Sequence, residues 1–180
     1  MRALRMLGLL TVLATLAFRW PDSPQGVVFR DDFNGENDGR YELNYTGFAQ
    51  WRVERGSVDL IGTAPFDDFL PREHGMGVDL DGTTKAAGRL VTRRALRLRP
   101  GRYTLSFDLA GCPRPSAPNR VRVSLGGLFA RTFTLAQYAP VKTYTFHLRV
   151  THTTSARLAF DHAGGDNYGI LLDNVELRRD

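Results

Sequence analysis

Residues Asp166–Leu177, DNYGILLDNVEL, decide how the chain is read. On a β-strand, successive side chains point to opposite sides of the sheet. The spacing therefore predicts that Leu171, Asp173, Val175 and Leu177 share one face, which aims a carboxylate at a core. A bare buried charge costs several kcal/mol, on the order of what a cation or a set of hydrogen-bond donors can return. A bound Ca²⁺, backbone N–H groups or an arginine would each answer it.

Working outward, the same two-residue period recurs. Tyr103, Leu105, Phe107 and Leu109 alternate with polar residues, as do Val121, Val123 and Leu125, and Tyr144, Phe146, Leu148 and Val150. Shorter candidates lie at Val28–Phe33, Gln50–Glu54, Ser57–Ile61, Gly77–Leu80, Arg89–Thr92, Arg131–Leu135, Ala156–Phe160 and Leu171–Leu177. No stretch carries a helical period. Turn signals separate the runs: Arg99-Pro-Gly-Arg102, the proline-rich Gly111–Asn119, and Ala163-Gly-Gly-Asp-Asn167. Alternation punctuated in this way predicts an all-β domain, a two-sheet antiparallel β-sandwich of the jelly-roll kind. The longest irregular insertion is Ala64–Gly75, APFDDFLPREHG. Long loops on a rigid sandwich are where binding concentrates.

The first seventeen residues are of another kind. Arg2 and Arg5 precede the apolar run Leu7–Ala17, with Thr15 and Ala17 as a small-x-small exit. That run is shorter than the roughly 20 residues a membrane-spanning helix needs. Residues 1–17 are therefore read as a secretory signal, 18–26 as an exposed lead-in and 27–180 as the sandwich; an uncleaved anchor is the alternative. Export puts the domain outside the cell, at its surface or in a periplasm, with no membrane span once the signal is removed. Removing Arg2 and Arg5 lowers the formal charge from +5 to +3. The cations are arginines apart from Lys85 and Lys142, and they are interspersed with Asp and Glu. Nucleic-acid binders usually gather charge on one face or helix, and no such motif appears in the sequence, although a net positive field attracts acidic glycans or anionic surfaces. Cys112 is the single cysteine, so no intrachain disulfide forms.

Four segments resemble a known family. Trp51–Gly62 (WRVERGSVDLIG), Val78–Gly82 (VDLDG), Tyr103–Gly111 (YTLSFDLAG) and Leu171–Val175 (LLDNV) are similar, in the same order, to motifs of galactose-binding-like extracellular modules. Such modules occur in bacterial surface proteins of the PEP-CTERM and choice-of-anchor kind and in related plant cell-wall proteins. The resemblance implies a jelly-roll sandwich outside the cytoplasm, a polysaccharide or cell-wall glycan as partner, and no enzyme. Related carbohydrate-binding sandwiches often carry a Phe-Glu pair near the first strand that helps hold a structural Ca²⁺. Here the pair is Phe33-Asn34, preceded by Asp31 and Asp32.

First and last strands of a sandwich commonly run side by side, which would gather Asp32, Asn34 and Asp173 as Ca²⁺ ligands, since calcium takes six to eight oxygens. The competing reading gives Asp173 N–H donors from a bulge, or an arginine. Asp79–Asp81 is a second carboxylate pair, at the end of a predicted strand. Sugar rings are held by aromatic faces with carboxylates and amides gripping hydroxyls. The loops carrying Phe66, Asp67, Asp68, Phe69 and His74, and Asp166, Asn167 and Tyr168, have that mixture and form the expected ligand site. Tyr41, Tyr45 and Phe48 make a third aromatic patch, and Trp51 is assigned to the core.

Hydrolase signatures are missing. His74, His147, His152 and His162 make no paired metal-ligand spacing, and no G-x-S-x-G elbow occurs. Asp67 and Asp68 are adjacent, but adjacency does not set the carboxylate separation of a glycosidase. The sequence is read as a non-catalytic exported carbohydrate-binding module; the alternative is a structural module that binds protein partners through its sheet edges.

Overall fold

The computed structural model describes residues 26–114 and 119–180, so the expected signal segment lies outside the described residues. Among the described residues are thirteen strands, β1 to β13 in chain order, of which eleven build two main antiparallel sheets. The first contains β1 (Gly26–Asp31), β3 (Asp59–Ile61), β4 (Gly77–Asp79), β7 (Gly101–Gly111), β10 (Lys142–Val150) and β13 (Ile170–Arg179), in the order β10-β7-β13-β4-β3 with β1 also on β13. The second runs β2-β5-β12-β8-β9, from Trp51–Arg55, Arg89–Thr92, Leu158–Ala163, Asn119–Leu125 and Phe129–Leu135. A small ladder joins β6 (Leu96–Leu98) to β11 (Thr154–Ala156), and β6 has no counterpart in the sequence reading. Among the described residues, helix is confined to 3₁₀ turns at Glu36–Gly39 and Arg72–His74. The expected jelly-roll sandwich is what the chain forms. First and last strands pair as expected, β1 antiparallel to β13.

The alternating stripes close on one another as predicted. Tyr103, Leu105, Phe107 and Leu109 of β7 meet Val121, Val123 and Leu125 of β8 and Leu158 and Phe160 of β12 in the inter-sheet core. Trp51 is fully buried there, between Phe29, Phe33 and Phe160, and its indole N–H donates to Asp31 at 2.9 Å. His147 of β10 is on the exposed polar face, as read from its spacing.

β13 departs from strict alternation. Its pairing with β7 slips by one residue between Asp173 and Glu176, a β-bulge in which Asn174 has φ 48°. The bulge inverts the faces. Ile170, Leu172, Val175 and Leu177 face the inter-sheet core, whereas Leu171 joins a separate cluster on the outer side of the sheet. The expectation that Asp173 shares its face with Val175 and Leu177 is corrected: it shares a face with Leu171 only, because the extra residue switches sides.

That outer face is covered in part by the Ala64–Gly75 insertion. Phe69 and Leu70 pack on Ile61, Ala110, Cys112 and Leu171 as a satellite core. Leu70 gets there because β4 offers a glycine beneath it; a Cβ on Gly77 would stand 2.4 Å from the leucine Cδ1. Among the described residues no helix is long and apolar enough to cross a membrane.

Candidate functional site

Two arrangements emerge on and beside the covered face. The first is buried. Register places Asp173 of β13 opposite Asp108 of β7, and Asp108 opposite Thr143 of β10. His74, delivered by the 3₁₀ turn that closes the insertion, brings Nδ1 to 2.8 Å from Asp173 Oδ2 and 3.9 Å from Asp108 Oδ2. The Asn174 backbone N–H donates to Asp173 Oδ1 at 2.6 Å, and its side-chain amide donates to Asp173 at 3.1 Å and to Asp108 at 2.9 Å. The Thr143 hydroxyl donates to the other Asp108 oxygen. Burial pushes the Asp173 carboxyl up to about 6; the His74 and Asn174 hydrogen bonds pull against that, and the Asp108 charge adds to it. The bulge-donor alternative is thus the one the geometry displays, with a histidine added.

His74, Asp108 and Asp173 also offer one ligand atom each within 4.8 Å of one another. That donor set suits calcium poorly. It supplies a ring nitrogen and two carboxylates where Ca²⁺ takes six to eight oxygens, and the carboxylates are already engaged. Asp32 is not in that group; it accepts the Asn34 N–H at 3.2 Å, and Asn34 Oδ1 accepts the Met76 N–H at 2.8 Å. Asn34 therefore pins the end of the insertion that presents His74. Asp108 escaped the sequence reading, since its partnership with Asp173 depends on which strands become neighbours.

The second arrangement is exposed. Tyr41, Phe66 and Phe69 form an edge-to-face run with centroids 5.2 and 5.4 Å apart, and the Arg114 guanidinium lies 4.7 Å from the Phe69 centroid. Asp68 grips Arg114 with two bonds of 3.0 and 3.1 Å, which holds its carboxyl below the usual carboxylate range. Asp67 is exposed, Phe66 is half-buried and Phe69 is buried. His74 turns inward, away from this group. The Gly164–Tyr168 loop adjoins the same end, with the Tyr168 phenol within electrostatic reach of Arg114. Tyr168 and Tyr41 are 37% and 39% exposed, enough to offer ring faces to a ligand. Arg114 was missed by the sequence reading, which assigned the proline-rich segment only as a loop. Of the third patch, Tyr45 and Phe48 are core, with the Tyr45 hydroxyl near buried Glu36, which also accepts the Ala49 N–H at 2.9 Å.

The second carboxylate pair holds the Gly164–Tyr168 loop in place. Asp79 Oδ1 accepts the Asp81 and Gly169 N–H groups at 2.9 Å, and Asp81 Oδ2 accepts those of Gly165 and Asp166 at 2.6 and 3.2 Å. Asn167 Oδ1 takes the Lys85 N–H, and Asp166 takes the Tyr168 N–H. Gly164 passes so close to Asp81 that a Cβ would stand 2.6 Å from Oδ2. Desolvation, with Asp59 and Asp81 nearby, raises the Asp79 carboxyl well above its ordinary range.

No protein-family model matches the chain. No curated protein matches it either. Among solved structures, it is similar to the K3 cleaved adhesin domain of Lys-gingipain from Porphyromonas gingivalis, with TM-score 0.53 and 19% identity over 85% of this chain and 97% of that one. Weaker likenesses are to the enzymatically active domain of bacteriophage CBA120 tailspike protein 4 (TM-score 0.46, 11% identity, 72% of this chain and 19% of that one) and to TmCBM61 in complex with β-1,4-galactotriose (0.44, 15%, 74% and 90%). The adhesin likeness places the chain among β-sandwich modules of this fold.

Proposed function

We propose that this chain is an exported, non-catalytic carbohydrate-binding module of the galactose-binding-like kind found in PEP-CTERM and choice-of-anchor surface proteins. Residues 1–17 serve as its export signal, and the lead-in that follows ends where β1 begins at Gly26. The observation that carries the reading is the Tyr41–Phe66–Phe69–Arg114 run with Asp68 beside it. A sugar ring lays its C–H face on an aromatic ring while a carboxylate and a guanidinium take its hydroxyls. The sandwich beneath holds these groups fixed, so little ordering is lost on binding.

A glycan array probed with the full chain tests this. We expect retention on polysaccharide, weakened about tenfold by Tyr41→Ala, the order of losing one aromatic contact. Absence of binding to every glycan, with self-association in its place, would favour the second reading: an assembly module joined through sheet edges. The observation behind that alternative is β10, a nine-residue strand at the margin of its sheet, whose outer edge is a template for pairing.

A further inference from the structure

The outer face of the five-stranded sheet carries an array of arginines. Register sets Arg55, Arg89, Asp161, Arg122 and Thr132 in one row across β2, β5, β12, β8 and β9. Arg120 stands two residues from Arg122 on the same face, roughly 7 Å along the strand. Arg52 and Glu54 join the array through ion pairs. Glu54 serves Arg52 and Arg89, the latter at 3.1 Å, and Asp161 serves Arg55 and Arg89, the latter at 2.8 Å. Both carboxylates are thereby committed to three guanidiniums. Arg120 and Arg122 are exposed and have no ion-pair or hydrogen-bond partner among the described side chains. With Arg55, Thr132 and Asp161 they line a cavity of about 300 Å³.

We propose that this face binds an anionic glycan, a polysaccharide bearing uronate carboxylates or sulfate esters, through the free guanidinium forks of Arg120 and Arg122. The inference rests on the glycan-binding reading but uses a different face from the Tyr41–Arg114 run. A guanidinium presents paired N–H donors whose spacing matches the two oxygens of a carboxylate or sulfate, and such charge-assisted pairs are the stronger kind. The neighbouring row, Val91, Ala159, Ser124 and Ala130, consists of short side chains buried except at Ala130, so the guanidiniums are what this face offers a polymer. Nucleic acid would also bring oxyanions, but binding single strands needs rings to stack bases on, and among the described residues none of the exposed large aromatics lies on a strand of this sheet.

The full chain is titrated with polygalacturonate, dextran sulfate and neutral dextran at low and raised salt. Binding to polygalacturonate identifies carboxylates, and binding to dextran sulfate identifies sulfate esters; either is expected to weaken as salt rises. Arg120→Gln with Arg122→Gln should weaken it at least about tenfold, the order of one lost charge-assisted contact. Arg97→Gln with Arg149→Gln removes the same charge from elsewhere and should leave binding within about twofold, a few tenths of a kcal/mol. Both pairs are exposed, and circular dichroism confirms folding. Equal losses in the two double variants would overturn the site, as would an oligonucleotide that competes as well as the polysaccharides. Retention on neutral glycans of the array without any binding to the acidic polymers removes this inference and leaves the glycan reading standing. Failure on every glycan removes both.

Discussion

Asp173 is 1% exposed, and its charge is answered by N–H groups and a histidine ring instead of an arginine or lysine. Those donors return less than burial costs, so the carboxyl is pushed up to about 6. A raised value means that the folded chain holds the proton more tightly than the unfolded one, whose carboxyl titrates near 3.8. The stability gained from this group is therefore complete below the unfolded value and is lost as pH rises through about 6. Asp173→Asn keeps the shape without the charge. At pH near 7.5, above both values, we expect the variant to melt at or above the wild type, with the advantage shrinking as the pH falls towards about 4. Melting curves across that series check it; an advantage that grew on acidification would show that the ionised carboxylate is a net stabiliser.

At the scale of the strand, the sequence reading recovered what local spacing controls and lost what partners control. The stripes of β7, β8 and β10 were legible because each strand buries one face and so repeats every second residue. The bulge in β13 was not legible, since the sequence around it, Leu-Leu-Asp-Asn-Val, alternates equally well with or without an extra residue. Only the register with β7 reveals it. Asn174 suits the place twice over: asparagine tolerates positive φ, and its amide reaches both Asp108 and Asp173. Two substitutions separate these contributions. Asn174→Gly keeps the backbone and loses the amide bonds, costing about 1–2 kcal/mol. Asn174→Ala loses the same bonds and also strains the backbone, and should cost about 1 kcal/mol more. Denaturant unfolding of both variants measures the difference; Ala at least as stable as Gly would mean that the bulge relaxes away.

Over the whole molecule, the loops that carry the exposed candidate arrangement were legible by composition, because an irregular insertion mixing aromatic and acidic residues stands apart from the alternating strands around it. Its partition was not: Phe69 is buried beneath the run it joins, His74 turns inward to Asp173, and Arg114 came from a segment read only as a loop. Stability has to come from apolar burial. Cys112 is buried, its thiol pushed up to about 12 by desolvation with the Asp79 charge adding to it, and as the single cysteine it closes no intrachain disulfide. Phe107 against Phe160 and Phe29 against Trp51 instead knit the two sheets through edge-to-face contacts of 5.4 and 5.0 Å. Truncating such a ring typically costs about 3–5 kcal/mol. With a single cysteine and a donor set at His74, Asp108 and Asp173 that suits Ca²⁺ poorly, chelation and reduction are expected to matter little. We therefore expect the melting temperature to be the same with EDTA, with dithiothreitol and with neither. A fall of several degrees in EDTA, restored by added Ca²⁺ and absent in Asp173→Ala, would show that oxygen ligands do assemble around that carboxylate and that the sheet edge depends on an ion.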